Sequence, residues 1–467
     1  MSAPQSDALL IRGGLPLRGA VRLGPDQAIL ETTLAVAALA RGRSQLHGVV
    51  ATTQLQAALA AWQQLGVRAQ LAGDHVIVQG PGIDALSAPT SAIDCGMSPR
   101  LLAQIAGVLC GQQFGTQLRA AGRTPVGHWV EVLRARGAHI AARGASDALS
   151  QGVFATLGGV GEARGSADEG HMYPPINVAP LLASERLHAL DASLPFCDAV
   201  GKDAILLNAL FASGPTVLSE PHVSSDHLER ALVEVHLPLR RIGSVVSLDT
   251  PAWNRELPGL GELHIPGSAA QAAMLAALVQ ALPGSDITLT GVSVNPSQSG
   301  VLDLLRSWGA PITWTPRGDA ALREPVADVR IRPAAVRGGV VDADLLLRSG
   351  DAVPALWLIG TQSRRGVRLC DLNVVEAQPP DGLLSAFGVA ADRAPNELFI
   401  PPCALEPTGV RRSWDARGDA LLALAACTLA LATRGETVVQ HALFALSALY
   451  PGFLRAAQEL GASIEYV

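Results

Sequence analysis

Few side chains in this sequence stand out as able to carry chemistry, and the first is Lys202, the only lysine in the chain. The six cysteines are scattered without a CxxC pair, so we expect free thiols in a reducing compartment. The histidines are isolated and no carboxylates have the spacing of metal ligands, so the sequence predicts no metal and no other cofactor. His227 has no nucleophile beside it. With Asp226 and Arg230 we expect it to form a capping and ion-pair cluster at the start of a helix over 228–235.

Charge and composition limit the possible partners. The chain has 467 residues and a formal net charge of −6, which gives no basic field for a nucleic acid. Charged residues make up 16% and aromatic residues 4%, a composition typical of closely packed helices and sheets. The N-terminus has no signal-peptide pattern, and the Ala-rich run at 421–431 is too short to cross a membrane. These features predict a soluble, cytoplasmic monomer that contacts neither nucleic acid nor a membrane.

A phrase of helix, glycine and strand recurs six times along the chain. In each copy, apolar residues at helical spacing lead to a Gly, and an alternating pattern follows it. The Gly is typical of a helix end in the left-handed conformation. Six copies predict one supersecondary unit used six times. Ahead of the first copy, residues 8–23 predict a pair of strands joined by a tight turn. The six glycines are Gly66, Gly137, Gly243, Gly309, Gly388 and Gly461.

The chain is too long for a single core, so two domains are expected. Gly24-Pro25 and the Pro/Gly-rich passage at 257–267 each precede a long apolar helix, and we place the hinge crossings at these two points. Each domain then holds three repeats. The boundaries are 1–23 plus 265–467 for domain 1, 24–264 for domain 2, and 23–25 and 264–267 for the crossings.

Three stretches of the chain follow the motifs of one known family in order. They are the opening at 17–44, the stretch from Glu220-Pro221 to Arg230, and the region from Pro266-Gly267 to Arg306. The chain therefore resembles the enolpyruvyl transferases of the EPSP synthase (3-phosphoshikimate 1-carboxyvinyltransferase) family. The resemblance implies an α/β (α+β) fold of two domains, each with three βαβαββ repeats in an inverse α/β barrel-like prism. The superfamily branch that acts on UDP-N-acetylglucosamine fits less well, because no cysteine falls at its reactive loop.

The resemblance also implies a reaction. Enolpyruvyl transfer protonates the methylene of phosphoenolpyruvate, adds an acceptor hydroxyl to the central carbon and expels phosphate. A proton donor and a base are needed, and carboxylates with tuned pKa values can serve. Asp351 and Glu376 match the family carboxylates to which the resemblance assigns proton transfer.

Substrate binding is where this chain departs from the family. Burying two phosphates and two carboxylates requires Arg, Lys and helix N-termini. The family's Lys, Ser and Arg in the opening motif are Gln27, Ala28 and Thr32 here. Lys202 matches a family Lys, and Arg100 keeps the Arg of a shortened turn. The candidates for contact with an anionic metabolite, phosphoenolpyruvate or a shikimate-like acceptor, are Lys202, Arg100, Arg123, Gln27 and Ser98.

The number of anion-binding hydrogen bonds that this chain has lost leaves two possible functions. Each hydrogen bond to a charged group contributes roughly 1.5–3 kcal/mol, so losing four or five removes several orders of magnitude in affinity or rate. The first hypothesis is a divergent enolpyruvyl transferase that uses a less charged substrate. The alternative is a catalytically silent paralogue that binds a metabolite or a protein partner.

Overall fold

The computed structural model describes residues 7–121, 125–144, 172–318, 321–372, 379, 381–405 and 412–467. These residues form a mixed helix and strand structure with six four-stranded sheets. Every sheet described is open, and none closes on itself as a barrel. The predicted α/β class is therefore confirmed. The described strands form separate sheets and not closed barrels.

The strands and helices are numbered in chain order. The strands are β1 Ala8–Gly13, β2 Arg18–Arg22, β3 Arg41–His47, β4 Arg68–Ala72, β5 His75–Pro81, β6 Ile93–Asp94, β7 Thr116–Arg119, β8 Ile140–Arg143, β9 Tyr173–Val178, β10 Leu190–Ser193, β11 Thr216–Ser219, β12 Leu239–Ile242, β13 Val245–Leu248, β14 Gly261–His264, β15 Asp286–Ser293, β16 Ile312–Arg317, β17 Val326–Ile331, β18 Gly339–Val341, β19 Val367–Cys370, β20 Asp392–Ala394, β21 Glu397–Ile400, β22 Arg412–Asp415, β23 Gly435–Gln440 and β24 Ser463–Tyr466. The helices are α1 Gln27–Leu39, α2 Thr53–Gln64, α3 Pro99–Leu109, α4 Gly127–Ala135, α5 Ala199–Ala209, α6 His227–Glu234, α7 Ala269–Ala281, α8 Gly300–Ser307, α9 Ala343–Ser349, α10 Val353–Gln362, α11 Leu383–Ala386, α12 Ala420–Ala432, α13 Leu443–Leu449 and α14 Phe453–Glu459.

The chain divides into two compact units. The continuous unit is Ala28–Leu263, and the discontinuous unit joins Met1–Gln27 to His264–Val467. The continuous unit contains the sheets β14-β3-β5-β4, β6-β7-β9-β8 and β10-β11-β13-β12. The discontinuous unit contains β16-β17-β15-β2, β18-β19-β21-β20 and β22-β23-β1-β24.

One pairing pattern recurs in the sheets. In the sheet of β10 to β13, β10 is parallel to β11, and β13 is antiparallel to both β11 and β12. Four other sheets repeat this arrangement of one parallel and two antiparallel pairs. In four of these five sheets a helical segment links the two parallel strands, as a parallel pair requires. In the fifth, the whole continuous unit lies between β2 and β15 in the sequence. The recurring unit predicted from the glycine phrase is confirmed, and it has the βαβαββ order that the family resemblance implies.

The prediction that the two N-terminal strands pair with each other was wrong. Strands β1 and β2 both form, but β1 pairs with β23 and β24, whereas β2 pairs with β15. The turn residues between them are compatible with a hairpin. Each strand instead completes a different repeat of the discontinuous unit, because its hydrogen-bonding partners come from the C-terminal half.

The glycine phrase describes five of the six repeats. Gly66, Gly137, Gly309, Gly388 and Gly461 each follow the C-cap of a helix with a positive φ, between 78° and 105°. The prediction for Gly243 was wrong, because this residue lies in the turn between β12 and β13. In the third repeat the residue after the helix C-cap Val235 is His236, with φ 63°. A left-handed position thus recurs in all six units, and one of them carries a side chain.

Helix α7 shows why the cores are closely packed. It contains no charged residue, and all but two of its side chains are buried, as expected of a helix that is apolar on all sides. It packs against α10 and α12 in the discontinuous unit. In the continuous unit α3 packs against α5. This packing brings Arg100 and Gln104 of α3 next to Asp203 of α5.

Candidate active site

Lys202 lies in the interior of the continuous unit. It is in the first turn and a half of α5, and its relative exposure is 0%. Its Nζ donates to Glu220 Oε2 at 3.0 Å and to Ser224 Oγ at 2.7 Å, and lies 2.8 Å from Glu229 Oε1. Ser224 Oγ in turn donates to Glu220 Oε1 at 2.6 Å. We call these four residues the Lys202 cluster.

The Lys202 cluster holds one positive group and two carboxyl groups. Burial opposes the charged form of Lys202, but the attraction of Glu229 and Glu220 outweighs it and raises the pKa of the lysine. Burial raises the pKa of Glu229, although Lys202 partly offsets this effect. The lysine is therefore a charged internal partner, and its ammonium would have to leave these carboxyl groups to reach a substrate anion.

Arg100 is also engaged within the continuous unit. It donates to Asp203 Oδ2, which is one residue after Lys202, and Gln104 Nε2 donates to the same oxygen at 3.3 Å. Burial opposes the charge of Arg100, but Asp203 and then Glu31 raise the pKa of its guanidinium. The positive charge that the family resemblance assigns to an anion contact is thus paired with an internal carboxylate.

Ser98 has a local structural role. It is the N-cap of α3, where its Oγ accepts from the backbone N–H of Leu101 at 3.1 Å. The same hydroxyl donates to Glu31 Oε2 at 2.6 Å, and Gln54 Nε2 donates to Glu31 Oε1 at 3.3 Å. Ser98 is 3% exposed, so its hydrogen-bonding capacity is directed into the interior.

Asp198 closes the other end of this polar region. It caps α5 by accepting from the backbone N–H groups of Val200 at 3.0 Å and Gly201 at 2.8 Å. This cap explains why α5 begins at Ala199. His128 Nε2 lies within hydrogen-bonding distance of the same carboxylate, and the ring of His128 lies 4.5 Å from that of Phe196.

The expected cluster at the start of α6 is an ion pair without a side-chain cap. Asp226 Oδ1 accepts from Arg230 Nε at 2.9 Å and makes no capping hydrogen bond to the helix. Arg241 Nη1 lies 3.6 Å from Asp226 Oδ2. His227 is 2% exposed. The ion pair between Asp226 and Arg230 is confirmed, and the capping role of the Asp226 side chain was wrong.

Asp351 lies in the discontinuous unit beside a buried tyrosine. It occupies a 3-10 turn, Gly350–Ala352, immediately before α10, and it is exposed. Tyr450, which follows α13 and is 7% exposed, donates its hydroxyl to Asp351 Oδ2 at 2.9 Å. Burial, and then the charge of Asp351, raise the pKa of Tyr450 well above its ordinary value. The tyrosine therefore remains a hydrogen-bond donor to this carboxylate at neutral pH.

Two further carboxylates act electrostatically on Tyr450. Asp419 and Asp26 both contribute to its raised pKa. Asp419 is the N-cap of α12, where it accepts from the backbone N–H of Leu422 at 2.8 Å. Asp26 Oδ2 accepts from the N–H of Ala269 at the start of α7, at 3.3 Å. The N-termini of α7 and α12 thus already interact with carboxylates of the chain.

The structure brings together some of the predicted residues. Ser98 and Arg100 lie at the start of α3 and Lys202 lies near the start of α5, two helices that pack against each other in the continuous unit. Gln27 is the first residue of α1 and is partly buried, while Asp351 belongs to the discontinuous unit. Arg123 and Glu376 lie outside the described residues. The roles assigned to these residues remain predictions.

Three partners in these clusters were not predicted. Glu31 joins Ser98 and Gln54, Asp203 holds Arg100, and Tyr450 holds Asp351. Asp203 follows the lysine directly, and a charged residue in the apolar α5 was a signal of an internal partner. Glu31, in the otherwise uncharged α1, was a similar signal. Nothing in the sequence placed Tyr450 next to Asp351, since the two residues are 99 positions apart.

The described residues contain neither a metal-binding cluster nor a membrane-spanning helix. Within them, no group of three or more His, Cys, Asp and Glu side chains is arranged to hold a metal ion. None of the helices described here combines the length and the apolar character needed to cross a membrane.

Comparison with solved structures defines the class of fold. EPSP synthase from Acinetobacter baumannii superposes with a TM-score of 0.78 over 98% of this chain and 99% of that one, at 22% identity. The enolpyruvyl transferase NikO from Streptomyces tendae gives 0.72 over 99% of both chains, at 17% identity. The fold is the two-domain fold of the enolpyruvyl transferases.

Sequence comparison is more specific. The family model for EPSP synthase (3-phosphoshikimate 1-carboxyvinyltransferase) matches residues 11–160 and 161–456. The 3-phosphoshikimate 1-carboxyvinyltransferase of Anaeromyxobacter sp. (strain K) is 31% identical over 97% of this chain and 96% of its own length. That of Acidithiobacillus ferrooxidans (strain ATCC 53993 / BNL-5-31) is 30% identical over 98% of each. The chain belongs to the EPSP synthase family.

Proposed function

We propose that this protein transfers an enolpyruvyl group from phosphoenolpyruvate to the hydroxyl of an acceptor that carries less negative charge than 3-phosphoshikimate. Family membership supports the reaction class. One observation supports the change of acceptor: Lys202 and Arg100 are both paired with internal carboxyl groups. A phosphate placed near them would compete with Glu220, Glu229 and Asp203 for their charge.

Lys202 and its two carboxyl partners form a buried ion-pair cluster. Separating one buried partner from the other leaves an uncompensated charge and is destabilising by about 3–5 kcal/mol. A substrate phosphate that took Lys202 from its carboxyl groups would have to supply at least that energy. An acceptor without this phosphate needs no such exchange, so the internal ion pairs favour it.

Asp351 is the proposed proton-transfer group of the discontinuous unit. It is an exposed carboxylate oriented by the Tyr450 hydroxyl. In the proposed reaction, one acidic group protonates the methylene of phosphoenolpyruvate while another accepts the proton of the acceptor hydroxyl. A new C–O bond forms at the central carbon to give a tetrahedral intermediate, and phosphate then leaves while a proton returns from the methyl group to the first carboxylate, which restores the double bond. Glu376 is the second carboxylate proposed for this exchange, on the basis of the family motif.

The second candidate function is that of a catalytically silent paralogue that binds a metabolite or a protein. It is favoured by the use of Ser98 and Arg100 inside the continuous unit, where each is directed to a carboxylate of the chain. Under this reading the fold is retained for binding and no phosphate is released.

The test compares two acceptors that differ by one phosphate. Phosphate release would be measured with phosphoenolpyruvate plus either shikimate or 3-phosphoshikimate, with calorimetric titration of each compound alone. We expect release with shikimate only, and its loss in Asp351→Asn. Release with 3-phosphoshikimate at a comparable rate would refute the charge argument. Binding without release with either acceptor would favour the silent paralogue.

A further inference from the structure

A cavity in the continuous unit lies outside the clusters described above. Its volume is about 880 Å³, and it lies between the end of β5, the turn after α6 and the loop that follows β13. Pockets for small ligands typically have volumes of about 300–1,000 Å³. Val235, Trp253 and Leu257 are among its apolar lining residues.

His236 lines this cavity in an unusual backbone conformation. It occupies the left-handed position after the helix C-cap, where the five other repeats have glycine. Glycine adopts this conformation without the steric penalty that a residue with a Cβ incurs. The third repeat alone tolerates that penalty, and its imidazole lines the cavity. Non-glycine residues in strained conformations concentrate at ligand-binding sites.

Arg255 is a second left-handed residue in the lining, with φ 62°. Its loop is held at several points. Arg255 donates to the carbonyl of Leu210 at 3.1 Å and to Asp84, and the N–H of Arg41 donates to the carbonyl of Leu257 at 2.6 Å. Trp253 is 8% exposed and anchors the start of the loop. The cavity is therefore preformed by contacts that do not involve a ligand.

Among the described residues, one positive and one negative group of the lining have no ionic partner. Arg255 is paired with Asp84. The guanidinium of Arg41 makes no hydrogen bond or ion pair within the described part of the chain, and the carboxylate of Glu256 accepts only from the amide of Asn254, at 3.2 Å. A ligand with a carboxylate and an ammonium group would complement Arg41 and Glu256.

We propose that this cavity binds a zwitterionic peptide-like molecule with apolar side chains. Its carboxylate pairs with Arg41, its ammonium pairs with Glu256, and its apolar body packs against Val235, Trp253 and Leu257. A cavity of about 880 Å³ accommodates a dipeptide more fully than a single amino acid. The proposal does not depend on enolpyruvyl transfer, because all of its residues lie in the continuous unit and apart from the Lys202 cluster.

Three probes that share one apolar body test the charge requirement. They are the dipeptide Leu-Leu, N-acetyl-Leu-Leu without the ammonium group, and Leu-Leu amide without the carboxylate. Isothermal titration of the full-length protein should show saturable binding of Leu-Leu, and about 10- to 100-fold weaker binding of each analogue. Equal affinity for the three compounds, or no binding of Leu-Leu, would overturn the proposal.

Variants of Arg41 assign the carboxylate contact. Arg41→Gln should weaken Leu-Leu binding about 10- to 100-fold and leave Leu-Leu amide unaffected. Arg43→Gln is the matched control, since Arg43 lies two residues away on β3, pairs with Gln45 and does not line the cavity. A loss of affinity that is the same for both compounds, or the same in both variants, contradicts the assignment.

His236→Gly separates ligand binding from stability. The change relieves the left-handed strain, so the midpoint of thermal unfolding should rise while the affinity for Leu-Leu falls at least threefold, about half a decade. His441→Gly is the control, because His441 also has a positive φ, of 51°, and does not line the cavity. If His236→Gly left Leu-Leu affinity unchanged, the strained histidine would have no role in binding.

Discussion

The single lysine of the chain lies between two carboxyl groups, and this arrangement limits what its charge can do. The single ammonium group of Lys202 faces the two carboxyl groups of Glu220 and Glu229. Arg100 and Asp203 form a second pair one residue along α5. An anion-binding function at either position therefore depends on removing an internal acid.

Asp203→Ser should increase the affinity of the protein for phosphate. It removes the carboxylate that holds Arg100 and leaves a small hydroxyl residue in its place. One recovered hydrogen bond from a charged donor corresponds to roughly 1.5–3 kcal/mol, or about a tenfold to hundredfold tighter dissociation constant. Titration with inorganic phosphate and with 3-phosphoshikimate would measure it. Asp191→Ser, at an exposed strand position, is the control, and equal affinities in the two variants would contradict the prediction.

Glu229 should make stability depend on pH. Burial raises its pKa in the folded state, so the folded state binds a proton more tightly than the unfolded state does. The free energy of unfolding should then fall as pH rises from about 4.3, the ordinary value of Glu, through the raised pKa. Glu229→Gln should remove this component.

Urea unfolding at several pH values checks the sign. Relative to the wild type, Glu229→Gln should become more stable as pH rises across this window, by at most about 1.4 kcal/mol per pH unit. Glu262→Gln, at an exposed strand residue, should show a constant difference. A Glu229→Gln difference that is constant or runs in the opposite direction would mean that burial does not raise the pKa of Glu229 in the folded state.

In each repeat the last α-helix is followed by a residue in the left-handed conformation. This conformation is required by the way the helix ends and turns into the next strand. Gly309 has φ 99°, and a Cβ added to it would have nothing within 4 Å. Any loss on substitution there therefore comes from the backbone conformation and not from a clash.

Gly309→Ala should destabilise the protein by about 1–2 kcal/mol, because an L-residue in the left-handed region is strained. Gly318→Ala is the control, since Gly318 also has open space around a Cβ but no positive φ. The midpoints of chemical denaturation would be compared. Loss of stability of the same size in both variants would show that the left-handed conformation is not the cause.

The same element explains how far the sequence could predict the fold. Helical spacing followed by Gly located five repeats because a local conformation required that residue. The third repeat was misplaced because His236 adopts the same conformation without a sequence signal. The partners of Lys202, Arg100 and Asp351 could not be predicted, because they come from residues distant in sequence, and the same is true of the pairing of β1 and β2.

The two compact units differ in how the chain builds them. The continuous unit is a single stretch, and β14 at its end pairs with β3 near its beginning. This arrangement suggests that the stretch contains the contacts it needs to fold alone.

A fragment of residues 25–264 should therefore unfold cooperatively in urea. The slope of its unfolding free energy against urea concentration should be roughly half that of the full chain. This slope scales with the surface that is exposed on unfolding. A fragment of residues 25–249, which lacks β14 and the loop before it, should unfold at a lower urea concentration. Absence of a cooperative transition in the longer fragment would mean that the unit depends on the rest of the chain.

Unlike the continuous unit, strand β1 is synthesised long before the strands with which it pairs. It leaves the ribosome well before both of its neighbours, β23 and β24, which lie more than roughly 400 residues later in the sequence. At about 5–20 residues per second, translation of 467 residues takes roughly 25 to 90 s. Throughout that time an apolar strand waits without its partners while the continuous unit can already fold. Ribosome-associated chaperones would therefore find β1 still unpaired after the continuous unit has folded.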